Sequence, residues 1–256
     1  MLAIERRKEI LMKLQAERRV VVSELSQLYD VSEETIRRDL EKLVNDGVAI
    51  KSYGGAVLNE NSNLDLPFNI RKKRNVLGKQ RIAEQIAAMV KDGDSIMLDA
   101  SSTAVYIAKA LKLKEKKNLT VITNSIEIII ELLDMPEWQV FSTGGLTREG
   151  SFALVGPQTD KMLRSFHVDK AIVSCKGIGI DKSVTDSDEL HANNKLTMLE
   201  ASMMKILAVD SSKFDKTAFT AIGTLDDITT VVTDEKPEAK WFQLFEETGV
   251  ECIYPR

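Results

Sequence analysis

The sequence predicts an α/β protein in two parts, an N-terminal winged helix-turn-helix joined to a larger Rossmann-like α/β domain. Three observations carry this expectation. Two helical patterns between Val21 and Asp46 are separated by too few residues for anything but a tight corner, the stretch from Asn59 to Asp65 is polar and turn-rich, and from Asn75 onward short apolar runs alternate with helical spacing. A length of 256 residues, 43% of them hydrophobic, suffices for one large or two unequal domains with real cores.

Residues 5–17 are predicted to form a first helix with Ile10, Leu11 and Leu14 on its apolar side. Ser23 is placed as the N-cap of a second helix carrying Leu25 and Leu28, Asp30 and Val31 make the corner, and Ser32 caps a third helix. In that third helix Ile36, Leu40 and Leu43 recur at i, i+4 and i+7 and bury one face. The opposite face carries Glu33, Glu34, Arg37, Arg38 and Glu41, with Thr35 near its start; it suits a DNA major groove or, equally, a solvated helix laced by Glu/Arg pairs. Gly47 is a helix stop, and residues 48–51 and 56–58 read as strands around Ser52-Tyr53-Gly54-Gly55. The resulting wing would hold Lys51 and Tyr53 near phosphates, so the predicted DNA contacts are Ser32, Glu34, Thr35, Arg37, Arg38, Lys51 and Tyr53. The chain is formally −4, and residues 1–58 hold ten Lys/Arg against ten Asp/Glu, so DNA affinity must come from a local arrangement of charge.

The DNA-binding domain is expected to span 1–58, a linker 59–75 and the second domain 76–256. Arg71-Lys72-Lys73-Arg74, in the linker, reads as a clamp on DNA or as a solvated helix start or interdomain face. Beyond it, strands are predicted at 95–98, 119–123, 139–142, 170–174, 205–209 and 230–233, and helices at 76–90, 103–111, 125–133 and from Pro157. Such alternation implies a largely parallel sheet covered on both faces, with ligands bound beyond the carboxyl ends of its strands. The loops there are polar: Asp99 to Thr103 with Ser101 and Ser102, Thr123-Asn124-Ser125, Thr143-Gly144-Gly145, Lys176-Gly177, and Asp210-Ser211-Ser212-Lys213. Together they predict a pocket for an anion and a polyol, with the loop into the helix at 103 suited to a phosphate.

The charged N-terminus lacks the long apolar run of a secretory signal, and residues 126–133 are cut by Glu127 and Glu131 and too short to span a bilayer, so a cytoplasmic location without membrane contact is expected. Cys175 and Cys252 read as reduced, buried thiols. With His167 and His191 they make no metal-ligand spacing, so neither a metal nor a cofactor is expected.

The segment from Val31 to Ala56, preceded by ERRKEILMKL, resembles the DNA-binding domain of the DeoR family of bacterial transcriptional repressors. The family core Ser-x-x-Thr-x-Arg-Arg-Asp-Leu falls on Ser32, Thr35, Arg37, Arg38, Asp39 and Leu40, and its Gly-Gly-Ala on Gly54, Gly55 and Ala56. Tyr53 stands where many members have His. The second half resembles the family's effector domain, similar in fold to ribose-5-phosphate isomerase and a binder of phosphorylated sugars. The resemblance places effector contacts at Asp99, Ser101, Ser102, Thr103, Thr123, Asn124, Gly144, Gly145, Lys195, Asp210 and Lys213, to which the loop reading adds Lys176. Asp99 is expected on a sugar hydroxyl, and Ser102 and Thr103 are expected to face solvent or ligand. Leu190 and His191 depart from the family's usual pair of acids. The resemblance implies a non-enzymatic regulator, usually a repressor of a carbohydrate-metabolism operon, on double-stranded operator DNA; the two half-sites of such DNA lead to the expectation of a homodimer or homotetramer. The alternative is a sugar-phosphate isomerase or deaminase using Asp99, Lys176, Asp210 and Lys213, in which a helix-turn-helix has no place.

Overall fold

The computed structural model describes residues 2–45, 49–58, 68–148 and 150–255. The chain divides into two compact units, residues 1–66 and 67–256.

The first unit runs α1 (Ala3–Glu17), β1 (Arg19–Val21), α2 (Val22–Tyr29), α3 (Glu33–Asn45), β2 (Ala49–Ser52) and β3 (Gly55–Leu58). Ile10, Leu14, Leu25, Ile36, Leu40 and Leu43 form one core with Val20, Ala49 and Ala56. The predicted cap at Ser23 is corrected, because the chain enters α2 directly from β1, with Val21 at the N-cap. That entry is fixed from outside the helix: β1 pairs antiparallel with β3, and Val22 N–H donates to Gly54 O at 2.9 Å. Leu28 does not join the stripe and is exposed. Asp30 closes α2 in the left-handed region (φ 51°). Gly55 must be glycine for close approach, since a Cβ there would lie 1.9 Å from Val20 O. Gly47 and Val48, read as helix stop and strand start, lie outside the described residues, as do residues 59–67 of the expected linker.

The remainder of that linker is a correction. Phe68–Lys73 forms α4, and Phe68 is fully buried in the second unit with its ring edge-on to Phe152. The Tyr106 hydroxyl donates to Lys72 O at 3.0 Å, and the Lys72 ammonium pairs with Glu127. The basic run therefore lies in and just after a helix anchored by an aromatic residue.

The second unit continues with α5 (Val76–Met89), β4 (Ser95–Leu98), α6 (Ser102–Leu113), β5 (Thr120–Thr123), α7 (Ile126–Leu132) and β6 (Gln139–Ser142). A hairpin follows, β7 (Leu146–Arg148) with β8 (Ala153–Val155), then α8 (Pro157–Leu163) and β9 (Val168–Val173). Next come β10 (Gly177–Ile178), β11 (Ser183–Asp186), α9 (Glu189–Glu200), β12 (Ser202–Ala208), β13 (Thr220–Thr224), β14 (Thr230–Val232), α10 (Ala239–Thr248) and β15 (Glu251–Ile253). Seven strands make the main sheet in the order β15-β14-β12-β9-β4-β5-β6, all pairs parallel. Strands β10, β11 and β13 form a small antiparallel sheet.

Both faces of the main sheet are covered, which explains why its strands read as apolar runs and not as alternating ones. Ile96 and Leu98 turn to one core with Ile82, Ile86, Ile107 and Leu111, whereas Met97 turns to the other with Ala171, Leu207, Met198 and Trp241. The chain starts centrally at β4, runs outward to β6, then returns through β9 and runs out on the opposite side to β15. The loops after β4 and β9 therefore part in opposite directions, a topological switch point with a crevice at the carboxyl ends.

Candidate functional site

In the first unit, α3 presents the residues expected to meet DNA. Ser32 Oγ accepts from Thr35 N–H at 3.3 Å and lies 2.9 Å from Thr35 Oγ1, so the pair fixes the start of the helix. Arg37 and Arg38 are exposed and held by Glu33 at 2.8 Å and Glu34 at 3.5 Å, one turn back. These are loose, solvated pairs that an incoming phosphate or guanine can replace. Between them and the core, Asp39 is buried and accepts from Arg6 Nε at 2.6 Å, tying α3 to α1. Lys51 and Tyr53 are exposed at the wing, Tyr53 fully so.

In the second unit the switch point is built around Asp99. This carboxylate is almost completely buried, with Oδ1 accepting from Ser101 N–H at 3.1 Å and Oδ2 from Ser174 N–H at 3.0 Å. It joins the loops after β4 and β9, each oxygen accepting one backbone N–H and keeping a further lone pair. Lys195, on α9, donates to Ser174 O at 2.7 Å, pairs with Asp186 at the end of β11, and lies 3.4 Å from Asp99 Oδ2. Burial alone would lower the pKa of Lys195, but Asp186 and Asp99 outweigh it and hold the ammonium charged. Asp186 is pushed up by burial and pulled further down by Lys195 and Lys176, a net shift below the usual carboxylate range. Burial pushes the Cys175 thiol up to about 12, so it stays protonated despite Lys195 and Lys213 nearby.

Ser101 caps α6, its Oγ accepting from Ala104 N–H at 3.0 Å. The N–H groups of Ser102 and Thr103 in the first turn have no acceptor among the described residues. Both residues are buried, so of the two expected settings, solvent or ligand, they do not face open solvent. Thr123 Oγ1 donates to Leu98 O at 2.7 Å, locking β5 to β4. Asn124, also buried, donates from Nδ2 to Leu154 O at 3.0 Å.

Gly144 and Gly145 lie in a turn with φ of 62° and 120°, and a Cβ on Gly145 would lie 2.1 Å from Thr159 Oγ1. Both are exposed, so the structure explains them as turn residues. Asp210 caps the short turn Ser211–Lys213 after β12 through Ser212 N–H. Lys213 acts electrostatically on both Cys175 and Lys79, which brings the β12 loop to the same edge. A groove lined by Leu190, Leu196, Thr220 and Ala221 shares none of these residues.

Comparison with known proteins matches both units. Residues 6–62 match the DeoR-like helix-turn-helix domain, and residues 74–235 match the DeoR C terminal sensor domain. The chain belongs to the DeoR family of DNA-binding transcriptional regulators. It is 42% identical over 234 residues to the Bacillus subtilis protein named uncharacterized HTH-type transcriptional regulator YulB, covering 91% of this chain and 90% of that one. The L-fucose operon activator of Haemophilus influenzae is 38% identical, covering 83% and 84% of the two chains. The transcriptional repressor AccR of Agrobacterium fabrum is 32% identical, covering 90% and 89%. DeoR-family relatives thus include both an activator and a repressor, and this chain, by its family, is a regulator and not an enzyme. Among solved structures, ribose 5-phosphate isomerase A of Methanocaldococcus jannaschii aligns with a TM-score of 0.40 at 18% identity, over 56% of this chain and 55% of that one.

Four residues of this DeoR-family sensor edge carry no assignment from the sequence. Ser174 and Asp186 hold Asp99 and Lys195, Lys79 sits buried beside Asp210 and Lys213, and Asn194 shares a carbonyl with Asn124. A signal is present for Asp186 alone, as one of three acids close before Lys195.

Proposed function

We propose that the chain represses a carbohydrate-metabolism operon in the cytoplasm, binding double-stranded operator DNA through α3 and the wing, and that a phosphorylated sugar at the switch point of the main sheet controls its affinity. The observation that carries the sensor reading is the α6 entrance, where two N–H groups without acceptors among the described residues follow a buried strand and form the positive end of a helix dipole. Lys176 and Lys213 would add positive charge at the same edge, and Lys195, balanced by Asp99 and Asp186, would hold its loops in place. Ser101, Ser102, Thr103, Thr123, Asn124 and Asp210 line or brace the pocket, with Asp99 as its organiser. Binding as a homodimer or homotetramer follows from the demand of two half-sites about 34–36 Å apart for two copies of α3. Control requires that the ligand bind the two DNA-affinity states unequally.

The experiment is a thermal-shift screen of hexose and pentose phosphates on the full chain, followed by operator binding with and without each compound that shifts the melting temperature. A ligand at a hundred times its Kd adds about 2.7 kcal/mol. A binder that changes operator affinity supports the reading; a chain that binds DNA with no response to any phosphorylated sugar rejects it.

A further inference from the structure

Near the switch point, two buried carboxamides share one backbone oxygen. Asn124 follows β5 and Asn194 lies on α9, 70 positions along the chain, yet each donates from Nδ2 to Leu154 O, at 3.0 and 3.1 Å. Both residues are almost completely buried, and the Oδ1 of each has no hydrogen-bond partner among the described residues. Which end of each amide faces Leu154 is fixed by chemistry: a carbonyl oxygen only accepts, so turning either amide over would oppose two acceptors. The free Oδ1 atoms are therefore a consequence of the fold.

Buried acceptors of this kind are satisfied in nearly all native structures, and leaving one bare costs the desolvation of the group. These two adjoin the phosphate-suited loop. Leu154 lies between Ala153 and Val155, which pack with Ala100 of the β4 loop, and Lys195, next to Asn194, reaches Asp99.

We infer that Asn124 and Asn194 form a paired acceptor for two hydroxyl groups of the effector, and that Asn194 is a specificity-determining residue selecting a hydroxyl-rich ligand over a deoxygenated one. Two acceptor oxygens braced on one carbonyl match two O–H donors, as on neighbouring carbons of a polyol. A ligand lacking one of these hydroxyls leaves an oxygen buried and unpaired, which is the strongest form of polar discrimination. The inference rests on the sensor reading above, but it concerns the polyol end of the ligand and not its phosphate.

The test uses the full chain and its Asn194→Ala and Asn124→Ala variants, with inorganic phosphate, D-ribose 5-phosphate, 2-deoxy-D-ribose 5-phosphate, D-glucose 6-phosphate, D-fructose 6-phosphate and free D-ribose and D-glucose as probes in calorimetric titration. At least one hydroxylated probe is expected to bind wild type more tightly than inorganic phosphate and to lose on the order of tenfold in affinity in Asn194→Ala. Inorganic phosphate affinity and operator binding without ligand should be unchanged. Should either variant fail to fold, the wild-type comparison of ribose 5-phosphate with its 2-deoxy analogue and of both with phosphate still decides. Equal sugar affinity in wild type and Asn194→Ala, or no sugar probe tighter than phosphate, overturns the inference while leaving the phosphate reading standing. Binding of a free sugar that depends on Asn194, with no phosphate dependence, supports the inference and rejects the phosphate. Silence of every probe rejects both.

Discussion

The Lys195 ammonium stands 3.4 Å from Asp99 Oδ2, so helix α9 and the end of strand β4 meet in one buried ion pair. Asp186 closes the group from β11, and Ser174 O accepts from the same ammonium. Two carboxylates and one lysine, all sequestered from water, depend on each other for charge balance, and they brace the loops that would contact an effector.

Removing the cation is therefore expected to be severe. Lys195→Met leaves Asp99 and Asp186 buried without their partner and should cost about 3–5 kcal/mol in urea unfolding near pH 7. The sign of the pH dependence follows from Asp186, whose folded pKa is depressed from 3.8 to about 2. Its stabilising contribution is full above the unfolded value and is lost as pH falls from about 4 toward 2. The gap between wild type and variant should narrow over that window; a gap independent of pH would mean that the ammonium does not set the stability of these acids.

The two arginines of α3 allow a cleaner separation of folding from function. Their pairs with Glu33 and Glu34 are exposed, so Arg37→Ala and Arg38→Ala should leave the melting temperature nearly unchanged. If Arg37 hydrogen-bonds a guanine, Arg37→Ala should cost about 1–3 kcal/mol of operator affinity and relax preference at one base position. Wild-type affinity of the double variant at matched salt would remove α3 from the DNA interface.

How much of the fold and site is legible in the sequence depends on the range of the interaction. Strand β4 falls at the predicted 95–98 because it is buried on both faces and reads as a continuous apolar run. The loops after β4, β5, β9 and β12 emerge at the expected positions because a parallel strand fixes where its loop leaves the sheet. Strands β10, β11 and β13 have no such mark: β10 has two residues and is stabilised by pairing with distant partners, not by its own pattern. Helix α4 is hidden because Arg71 to Arg74 looks solvated, while Phe68, its anchor, lies before the charges. Asp99 stands out in the sequence but its role does not, since its partner Ser174 N–H is 75 positions away. Asn194 is invisible for the same reason: its acceptor Leu154 O is 40 positions distant, and nothing in a helical pattern marks it.

Gly55 tests the wing. A Cβ there would fall 1.9 Å from Val20 O and 3.1 Å from Val21 Cα, all backbone atoms that no rotamer change can move. Gly55→Ala should push β3 away from β1 at a cost on the order of 1–3 kcal/mol, and should weaken operator binding because β3 pairs with β2, which carries Lys51, and the turn between them carries Tyr53. Thermal unfolding and DNA titration of the full chain give the two readings. An alanine variant as stable as wild type would show that β1 and β3 do not approach this closely.

Lys79 offers a pH signature of its own. Its ammonium is buried at the start of α5 and donates to Arg71 O at 2.8 Å and to Arg74 O, closing the end of α4 with two hydrogen bonds. Burial lowers its pKa from 10.5 to about 8; Asp210 opposes the shift, and Lys213, Arg71 and Arg74 add to it. Between those two values the unfolded chain holds more protons than the folded one, so stability from this group rises as pH increases from about 8 to about 10.5. Below pH 8 the charged lysine carries its full desolvation penalty. Lys79→Met cannot titrate, so its stability relative to wild type should be most favourable at pH 7 and should fall steadily through pH 8–10, with the two Lys79 hydrogen bonds to the carbonyls of Arg71 and Arg74 lost throughout. Urea midpoints for both proteins at half-unit pH steps measure the difference, in which all other titrating groups cancel. Parallel midpoints across the whole range would show that Lys79 keeps an ordinary pKa and that its burial is relieved by solvent.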